Sequence, residues 1–222
     1  GRMIGFGTLP WQWLQPVLGY APVTALLNVI YDCWFLIMFA CLLWQAFAAR
    51  SNETRMQFLL AFAFSWFIAG NVLATIFSSA GPCFYGYLHP GADPFGAQMA
   101  YLQNVNTQWP VWSLQIQDAL WQSYVTGSGA VAGISAFPSM HVTIAVLLAL
   151  LGTRTNRWLG IALWIFAGLI VIGSVHLAWH YAADSLAGIA LAMLFWWSAG
   201  VVTRTWQKRC KVSSHDLPAP IC

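Results

Sequence analysis

The sequence predicts an all-α fold, a polytopic bundle of transmembrane helices, from its composition, its apolar runs and the placement of its charges. Of the 222 residues, 59% are hydrophobic and only 7% are charged, and the mean hydropathy is +0.66. A soluble domain usually has about 25% charged residues, so this chain could not cover itself with a hydrated surface. We therefore expect an integral membrane protein with one helical domain. The net charge of +3 is too small to indicate a nucleic-acid partner.

Five apolar runs of sufficient length predict five membrane spans. A run of about 20 apolar residues crosses a bilayer as a helix. The runs lie near 23–48, 57–80, 137–153, 158–178 and 184–203. Together they predict a membrane-embedded domain over 23–203.

The remaining segments differ from these runs in composition. Residues 82–135 carry Gly, Pro, Asn, Gln and many aromatics without a sustained apolar run, which predicts an extramembrane segment of interfacial helices and loops. Residues 1–22 place Trp and Tyr among prolines and are interpreted as a further interfacial segment, since both side chains favour the membrane interface. Residues 204–222 are expected to form a tail.

The basic residues predict the orientation. Not one Lys or Arg lies between Arg55 and Arg154. Under the positive-inside rule, the loops 50–56 and 153–157 and the C-terminal tail are cytoplasmic. The segment 82–135 then lies on the non-cytoplasmic side, which is periplasmic, extracellular or lumenal according to the organism.

Three ionisable residues occur at helix starts on that non-cytoplasmic side. His141 begins the third span, and His180 and Asp184 begin the fifth. Four residues apart, His180 and Asp184 would share a helix face. A carboxylate on one imidazole nitrogen fixes the tautomer and raises the basicity of the other nitrogen. This suits a histidine nucleophile attacking phosphorus, with His141 protonating the leaving oxygen.

The start of the third span also offers an anion site. The helix that opens at Pro138 and Ser139 presents free backbone N–H groups, a positive dipole end and a hydroxyl. Each residue alone has an ordinary structural explanation: a histidine can bond an interfacial carbonyl, Ser139 can be an N-cap, and Asp184 can complement a helix dipole. Ionisable residues at membrane depth are costly, however, and three at one level favour a functional site.

Two motifs carry a resemblance to a known family. The stretch PSMH at 138–141 matches Pro-Ser-x-His, and HYAAD at 180–184 matches His-x-x-x-Asp. In these motifs the chain resembles the type 2 phosphatidic acid phosphatase superfamily. The resemblance implies a bundle of usually six spans, one more than we find. It also implies that His180 attacks phosphorus, Asp184 orients it and His141 is the acid.

Departures from the superfamily pattern indicate the reaction. The Lys- and Arg-rich first motif of its phosphatases is absent, because 56–153 contains neither residue, and Ser174 stands where they have an arginine. A monoester dianion would be poorly neutralised here, whereas a diester carries a single charge. The chain is therefore similar to the branch of inositol phosphorylceramide synthase, which implies a lipid phosphotransferase. The alternative is a lipid phosphate or pyrophosphate phosphatase.

The remaining candidates are residues that would bind the substrates. We expect the donor to be a phospholipid or lipid phosphate, and the acceptor to be a lipid or water. We take five residues as candidates for binding phosphate or head group: Ser139, Ser174, His176, Tyr85 and His89. The last two lie in the stretch SSAGPCFYGYLHP at 78–90. The scheme requires no metal and no cofactor, because histidines and helix dipoles supply the stabilising charge.

Two interpretations from other classes remain open. His176, His180 and Asp184 are spaced four apart, so they could bind a transition metal or, with His141, a haem. Polar residues within the spans could instead mark the pathway of a carrier or scramblase. They are Asn28, Asp32 and Asn71, and Asp32 would lie about three turns deep by the helix rise.

Overall fold

The computed structural model describes residues 8–48, 52–89, 91–127 and 134–216. These residues form α-helices, a π-helical segment (Ser65–Leu73) and a 3₁₀ turn (Pro82–Phe84), and no strand occurs among them. The predicted all-α class is confirmed. The helices are α1 Pro10–Leu18, α2 Ala21–Asp32, α3 Trp34–Phe47, α4 Glu53–Phe64, α5 Ala74–Ile76, α6 Tyr85–Leu88, α7 Gly96–Asn106, α8 Trp112–Thr126, α9 Met140–Thr155, α10 Arg157–His176 and α11 Ala182–Asp216.

Four helical stretches of the described chain are long and apolar enough to cross a membrane. They are Ala21–Phe47, Glu53–Ile76, Arg157–His176 and Ala182–Cys210. The third predicted span corresponds to α9, which is apolar but shorter. The protein is therefore an integral membrane protein, and each predicted run coincides with an apolar helix.

The short helix α9 forms the centre of the bundle. Its residues from Val142 to Ala149 are all buried, so it has no polar face toward solvent or lipid. A helix that is apolar all round belongs in a core. It packs against α10 and α11 most extensively and also against α3 and α4. Its first residues are consequently held on several sides, which positions the site.

Among the described residues, the basic side chains of Arg55, Arg154, Arg157 and Arg204 lie at one end of the bundle and the two motifs at the other. Glu53, at the start of α4, approaches Arg204 of α11 to 3.5 Å. Arg55 donates to the carbonyls of Ala46 and Ala48, which close the end of α3. The starts of α9 and α11 lie at the opposite end, as the charge pattern predicts.

The segment predicted to be extramembrane folds as a helical layer over the site. Its helices α7 and α8 bond to the end of α10 and the residue after it. Gln98 of α7 donates to the carbonyl of Val175 at 2.7 Å, and Gln117 of α8 donates to that of Leu177 at 2.9 Å. At the same end Leu9 and Trp11, around the start of α1, pack with the aromatic residues of this layer.

The structure adds detail on the level of Asp32 and on the end of α11. Asp32 lies about three turns into Ala21–Phe47, beside Tyr31, which stacks on His141, so it is level with the site. The reason is length, because Ala21–Phe47 has 27 residues and its first turns extend beyond the site to contact α7 and α8. At the other end, α11 continues past residue 203 to Asp216.

Candidate active site

The two motifs are joined through the backbone where α9 begins. Ser139 is wholly buried, and its Oγ accepts the N–H of Val142 at 3.4 Å as an N-cap. Its own N–H donates to the backbone carbonyl of Asp184 at 3.3 Å. The hydroxyl of Thr143 donates to the carbonyl of Ser139 at 2.9 Å and lies 3.2 Å from that of Gly188. These contacts fix the starts of α9 and α11 side by side.

His180 lies in the turn between α10 and α11 and not on a helix. The expectation that His180 and Asp184 share a helix face is wrong, because α11 begins at Ala182. The chain reverses direction in this turn through Ala178, whose φ of 61° is left-handed and uncommon for a residue with a Cβ. The N–H of His180 donates to the carbonyl of Ser174 at 2.9 Å, which closes the turn.

A backbone carbonyl, not a carboxylate, holds the His180 ring. Nδ1 lies 2.8 Å from the carbonyl oxygen of Ala136 and 4.0 Å from Oδ2 of Asp184. That Oδ2 accepts the N–H of Tyr181 at 2.9 Å instead. Since a carbonyl can only accept, Nδ1 carries the hydrogen and Nε2 keeps its lone pair. The tautomer expected from Asp184 is thus set by Ala136, with Asp184 as a nearby negative charge.

Burial also determines the charge of His180. Only 7% of the residue is exposed, and this desolvation lowers its pKa to about 4 against the opposing effect of the bond to Ala136. The ring is therefore neutral at pH 7. A neutral imidazole with a free Nε2 is the form required of a nucleophile.

Aromatic side chains surround His141. Tyr31 stacks on its ring with centroids 4.8 Å apart, and Trp34 lies at 4.3 Å on a tilted plane. The indole N–H of Trp34 also donates to the His141 carbonyl at 2.9 Å. The His141 and His180 ring centroids are 6.1 Å apart. Sequence reasoning missed these aromatic partners, since more than a hundred residues separate them from His141.

Both imidazoles line one cavity of about 650 Å³. Its apolar wall includes Trp66, Gly70 and Met140. No Lys, Arg, Asp or Glu is found among the described residues that line it. Hydroxyl groups supply most of its other polarity, and their residues are Thr75, Ser78, Tyr124 and Ser135.

The five residues proposed for substrate binding lie outside this cavity. Ser139 caps α9, and the hydroxyl of Ser174 lies 2.8 Å from Val171 O and from the hydroxyl of Ser185. His176 is buried with Nε2 at 2.9 Å from the Thr24 hydroxyl. Tyr85 and His89 stack on each other with centroids 4.3 Å apart, and His89 is exposed. Their substrate role stays a prediction, which the cavity lining does not favour.

Two observations bear on the interpretations from other classes. Within the described ranges, no three His, Cys, Asp or Glu residues are grouped so that they could hold a metal ion. Among the span residues, Asn28 donates to Asp32 and accepts the N–H of Ser113, and Asn71 donates to the carbonyl of Trp66. These polar groups therefore bond to neighbouring residues.

Comparison with known proteins agrees with the motifs. A family model described as the PAP2 superfamily matches residues 2–198, most of the chain. No curated protein and no solved structure matches significantly. Members of this superfamily are generally phosphatases or phosphotransferases. The chain therefore belongs to the PAP2 superfamily and is an enzyme of the phosphatase or phosphotransferase kind.

Proposed function

We propose that the protein is a lipid phosphotransferase, similar to the inositol phosphorylceramide synthase branch, that moves a phospho-head group from a phosphodiester donor through a phosphohistidine on His180. One observation carries the proposal: two imidazoles share a cavity whose described lining has no Lys or Arg. A phosphate monoester is a dianion at pH 7 and is usually bound by arginine. A diester has one negative charge, which the first turn of α9 can balance.

In the first step, Nε2 of His180 attacks the phosphorus of the donor lipid. The new P–N bond forms as the bond from phosphorus to the lipid alcohol breaks, and His141 gives a proton to the departing oxygen. With ring centres 6.1 Å apart, both imidazoles can contact one tetrahedral phosphate group. The products are a free lipid alcohol and a phosphoryl-head group on His180.

In the second step, His141 takes the proton from the hydroxyl of an acceptor lipid. The acceptor oxygen bonds to phosphorus, the P–N bond breaks, and the electron pair returns to Nε2. Two features would stabilise the charges that develop. Asp184 lies 4.0 Å from the imidazole nitrogen that becomes cationic. The backbone N–H groups of Met140 and His141, in the first turn of α9 beside the cavity, would bind the phosphate oxygens.

The position of the site fits substrates that are lipids. Trp66 and Gly70 lie in the π-helical segment of a candidate span, so acyl chains can extend from the cavity along this wall. The site end is opposite the basic end of the bundle. By the positive-inside rule the reaction takes place on the non-cytoplasmic face, with the C-terminus in the cytoplasm.

Product analysis separates the transferase from a phosphatase of the same superfamily. Purified protein in detergent is incubated with phosphatidic acid, phosphatidylglycerol, phosphatidylinositol or a polyprenyl pyrophosphate, each with and without ceramide or diacylglycerol. Mass spectrometry reads the products, and the His180→Ala variant is the control. A new phospholipid that forms only with acceptor supports the proposal. Free phosphate from the monoester or the pyrophosphate, with no transfer product, would identify a phosphatase.

A further inference from the structure

Two aromatic residues at the junction of α2 and α3 contact the ring of His141 from behind the catalytic cavity. Tyr31 is 2% exposed and Trp34 is 1% exposed, and neither is among the described residues that line the cavity. The Tyr31 ring is nearly parallel to the imidazole, at 21°, and the Trp34 ring is tilted from it by 40°. The two side chains can therefore act on His141 but not directly on a substrate in the cavity.

Neighbouring contacts hold these rings in place. The indole N–H of Trp34 donates to the His141 carbonyl at 2.9 Å. Tyr31 is also nearly parallel to Trp179, whose indole N–H donates to the Ser113 hydroxyl at 3.0 Å. The hydroxyl oxygen of Tyr31 is buried and has no hydrogen-bond partner among the residues that the structure describes. At Tyr31 the contact with His141 is therefore made by the aromatic ring and does not need the hydroxyl.

His141 lacks the carboxylate neighbour that His180 has. Oδ2 of Asp184 lies 4.0 Å from Nδ1 of His180, whereas no described carboxylate oxygen lies that close to a ring nitrogen of His141. The reaction nevertheless requires a cation there, since His141 gives up a proton in one step and takes one in the next. A charge in apolar surroundings costs free energy unless it is paired, so the rings that contact His141 affect how readily the cation forms.

An aromatic ring can take the place of the missing carboxylate. The face of a π-system carries partial negative charge and attracts a cation within about 6 Å of the ring centroid. The imidazole centroid lies 4.8 Å from that of Tyr31 and 4.3 Å from that of Trp34. Both rings thus lie within the range of this attraction, and indole attracts a cation more strongly than phenol or benzene does.

We propose that Tyr31 and Trp34 are positioning residues that stabilise the protonated form of His141 through the faces of their rings. The inference rests on the acid and base role that the proposed function gives to His141. It adds the groups that allow His141 to hold a proton beside a cavity whose described lining has no Asp or Glu.

The titratable groups on the elements packed around His141 do not supply this stabilisation. His180 has its ring centroid 6.1 Å away and is neutral at pH 7. The π-helical segment Ser65–Leu73 has no ionisable side chain. The other groups bond elsewhere, Asp184 to the N–H of Tyr181, Asp32 to Asn28 and His176 to Thr24.

A titration of His141 tests the proposal without any substrate. NMR follows isotope-labelled histidine rings against pH in detergent micelles, and His141→Ala assigns the signal of His141. Tyr31→Leu should move its titration midpoint lower by about one pH unit, a roughly tenfold change in the protonation equilibrium. Tyr31→Phe should restore the midpoint of wild type, because it keeps the ring and loses only the unpaired hydroxyl. A wild-type His141 that stays neutral wherever the protein is folded would overturn the proposal.

Fluorinated phenylalanines in place of Tyr31 separate the charge of the ring from its shape. Fluorine withdraws electron density from the ring face and so weakens its attraction for a cation, while the ring keeps nearly the same size. Successive fluorine atoms should lower the His141 midpoint step by step. His89, which stacks on Tyr85 and is exposed, is the internal control, and its midpoint should stay constant. Equal His141 midpoints across the folded series would overturn the proposal.

Turnover provides a second measurement. With a lipid donor that wild type consumes, the high-pH limb of the kcat/KM profile reports loss of the proton from the acid. In Tyr31→Leu this limb should move to lower pH while the low-pH limb stays, and kcat should fall without a matching rise in KM. Trp34→Phe should move the limb in the same direction, since a phenyl ring attracts a cation less than indole does. Both limbs moving together, or a lower rate with neither limb moved, would show a merely structural role and overturn the proposal.

A matched control and the substrate-free titration keep this inference separate from the proposed function. Phe39→Leu replaces an exposed aromatic residue of α3, one turn beyond Phe35, and should leave both the profile and the titration unchanged. If no lipid donor reacts, the proposed function fails, and the titration of His141 still decides on the role of the two rings.

Discussion

The Nδ1 atom of His180 lies 2.8 Å from the carbonyl oxygen of Ala136, two residues before the Pro-Ser-x-His motif. The backbone ahead of one motif therefore orients the histidine of the other. This bond fixes the tautomer that exposes Nε2, whereas Asp184 acts from 4.0 Å by its charge. The roles of these residues differ accordingly, and the following variants separate them.

Replacement of either histidine should remove activity without unfolding the protein. His180→Ala deletes the proposed nucleophile, so turnover should fall to background. His141→Ala deletes the proposed acid and base, for which a loss of roughly 10²–10⁴-fold is typical. Initial rates, with size-exclusion profiles and melting temperatures as controls of folding, provide the measurement. Wild-type rates in either folded variant would refute the assignment.

Asp184→Asn should slow the reaction far less than His180→Ala. The carbonyl of Ala136 still sets the tautomer, and the Asn oxygen can still accept the N–H of Tyr181. Only the negative charge near the imidazole is lost. We expect kcat to fall roughly 10–100-fold, because at 4.0 Å the attraction between this charge and the imidazolium is partly screened.

The matched variant for this comparison is Asp184→Ala, which also removes the acceptor for Tyr181 at the start of α11. Its melting temperature should be lower than that of Asp184→Asn. If Asp184→Asn were as inactive as His180→Ala, the carboxylate of Asp184 would be essential to catalysis, which contradicts the role assigned to it from the 4.0 Å between Oδ2 and Nδ1 of His180.

The pH dependence of stability should change when His180 is replaced. Its pKa is about 4 in the folded protein because of burial, against about 6.5 for a free imidazole. Between these values the unfolded chain binds more protons than the folded one, so this residue lowers stability as the pH falls from about 6.5 toward 4. The measurement is the melting temperature of wild type and His180→Gln at roughly one-unit steps from pH 7.5 to 4.5. The melting temperature of the variant should fall less steeply with decreasing pH than that of wild type. Parallel curves would contradict the burial of a neutral ring.

Gly188→Ala should loosen the junction of the two motifs. A Cβ at Gly188 would lie 2.8 Å from the backbone carbonyl oxygen of Ser139, so α9 and α11 would have to separate. Such overpacking costs about 1–3 kcal/mol, and turnover should fall with the melting temperature. Gly168→Ala is the control, since no described atom beyond its chain neighbours and its own helix backbone lies within 4 Å of the position that its Cβ would take. Equal effects of the two substitutions would argue against a strict spacing at this junction.

The sequence predicted the features that depend on local composition. Apolar length identified the helices that contain residues 57–76 and 158–176, and the missing basic residues placed His141 and His180 at one end. It could not predict that His180 precedes α11, because the helix boundary is decided by a turn that packs against distant residues. The Ala136 carbonyl was missed for a similar reason, since every residue has one and only the fold selects it.

The central claim is that His180 becomes covalently bonded to phosphorus. The direct measurement is a rapid alkaline quench of the protein during turnover of a diester lipid, followed by mass spectrometry of its peptides. We predict a phosphoryl-head-group adduct on His180 in wild type that disappears when acceptor lipid is added in excess. It should be absent from His180→Ala. Turnover with no adduct on His180, or with the adduct on another residue, would contradict the account.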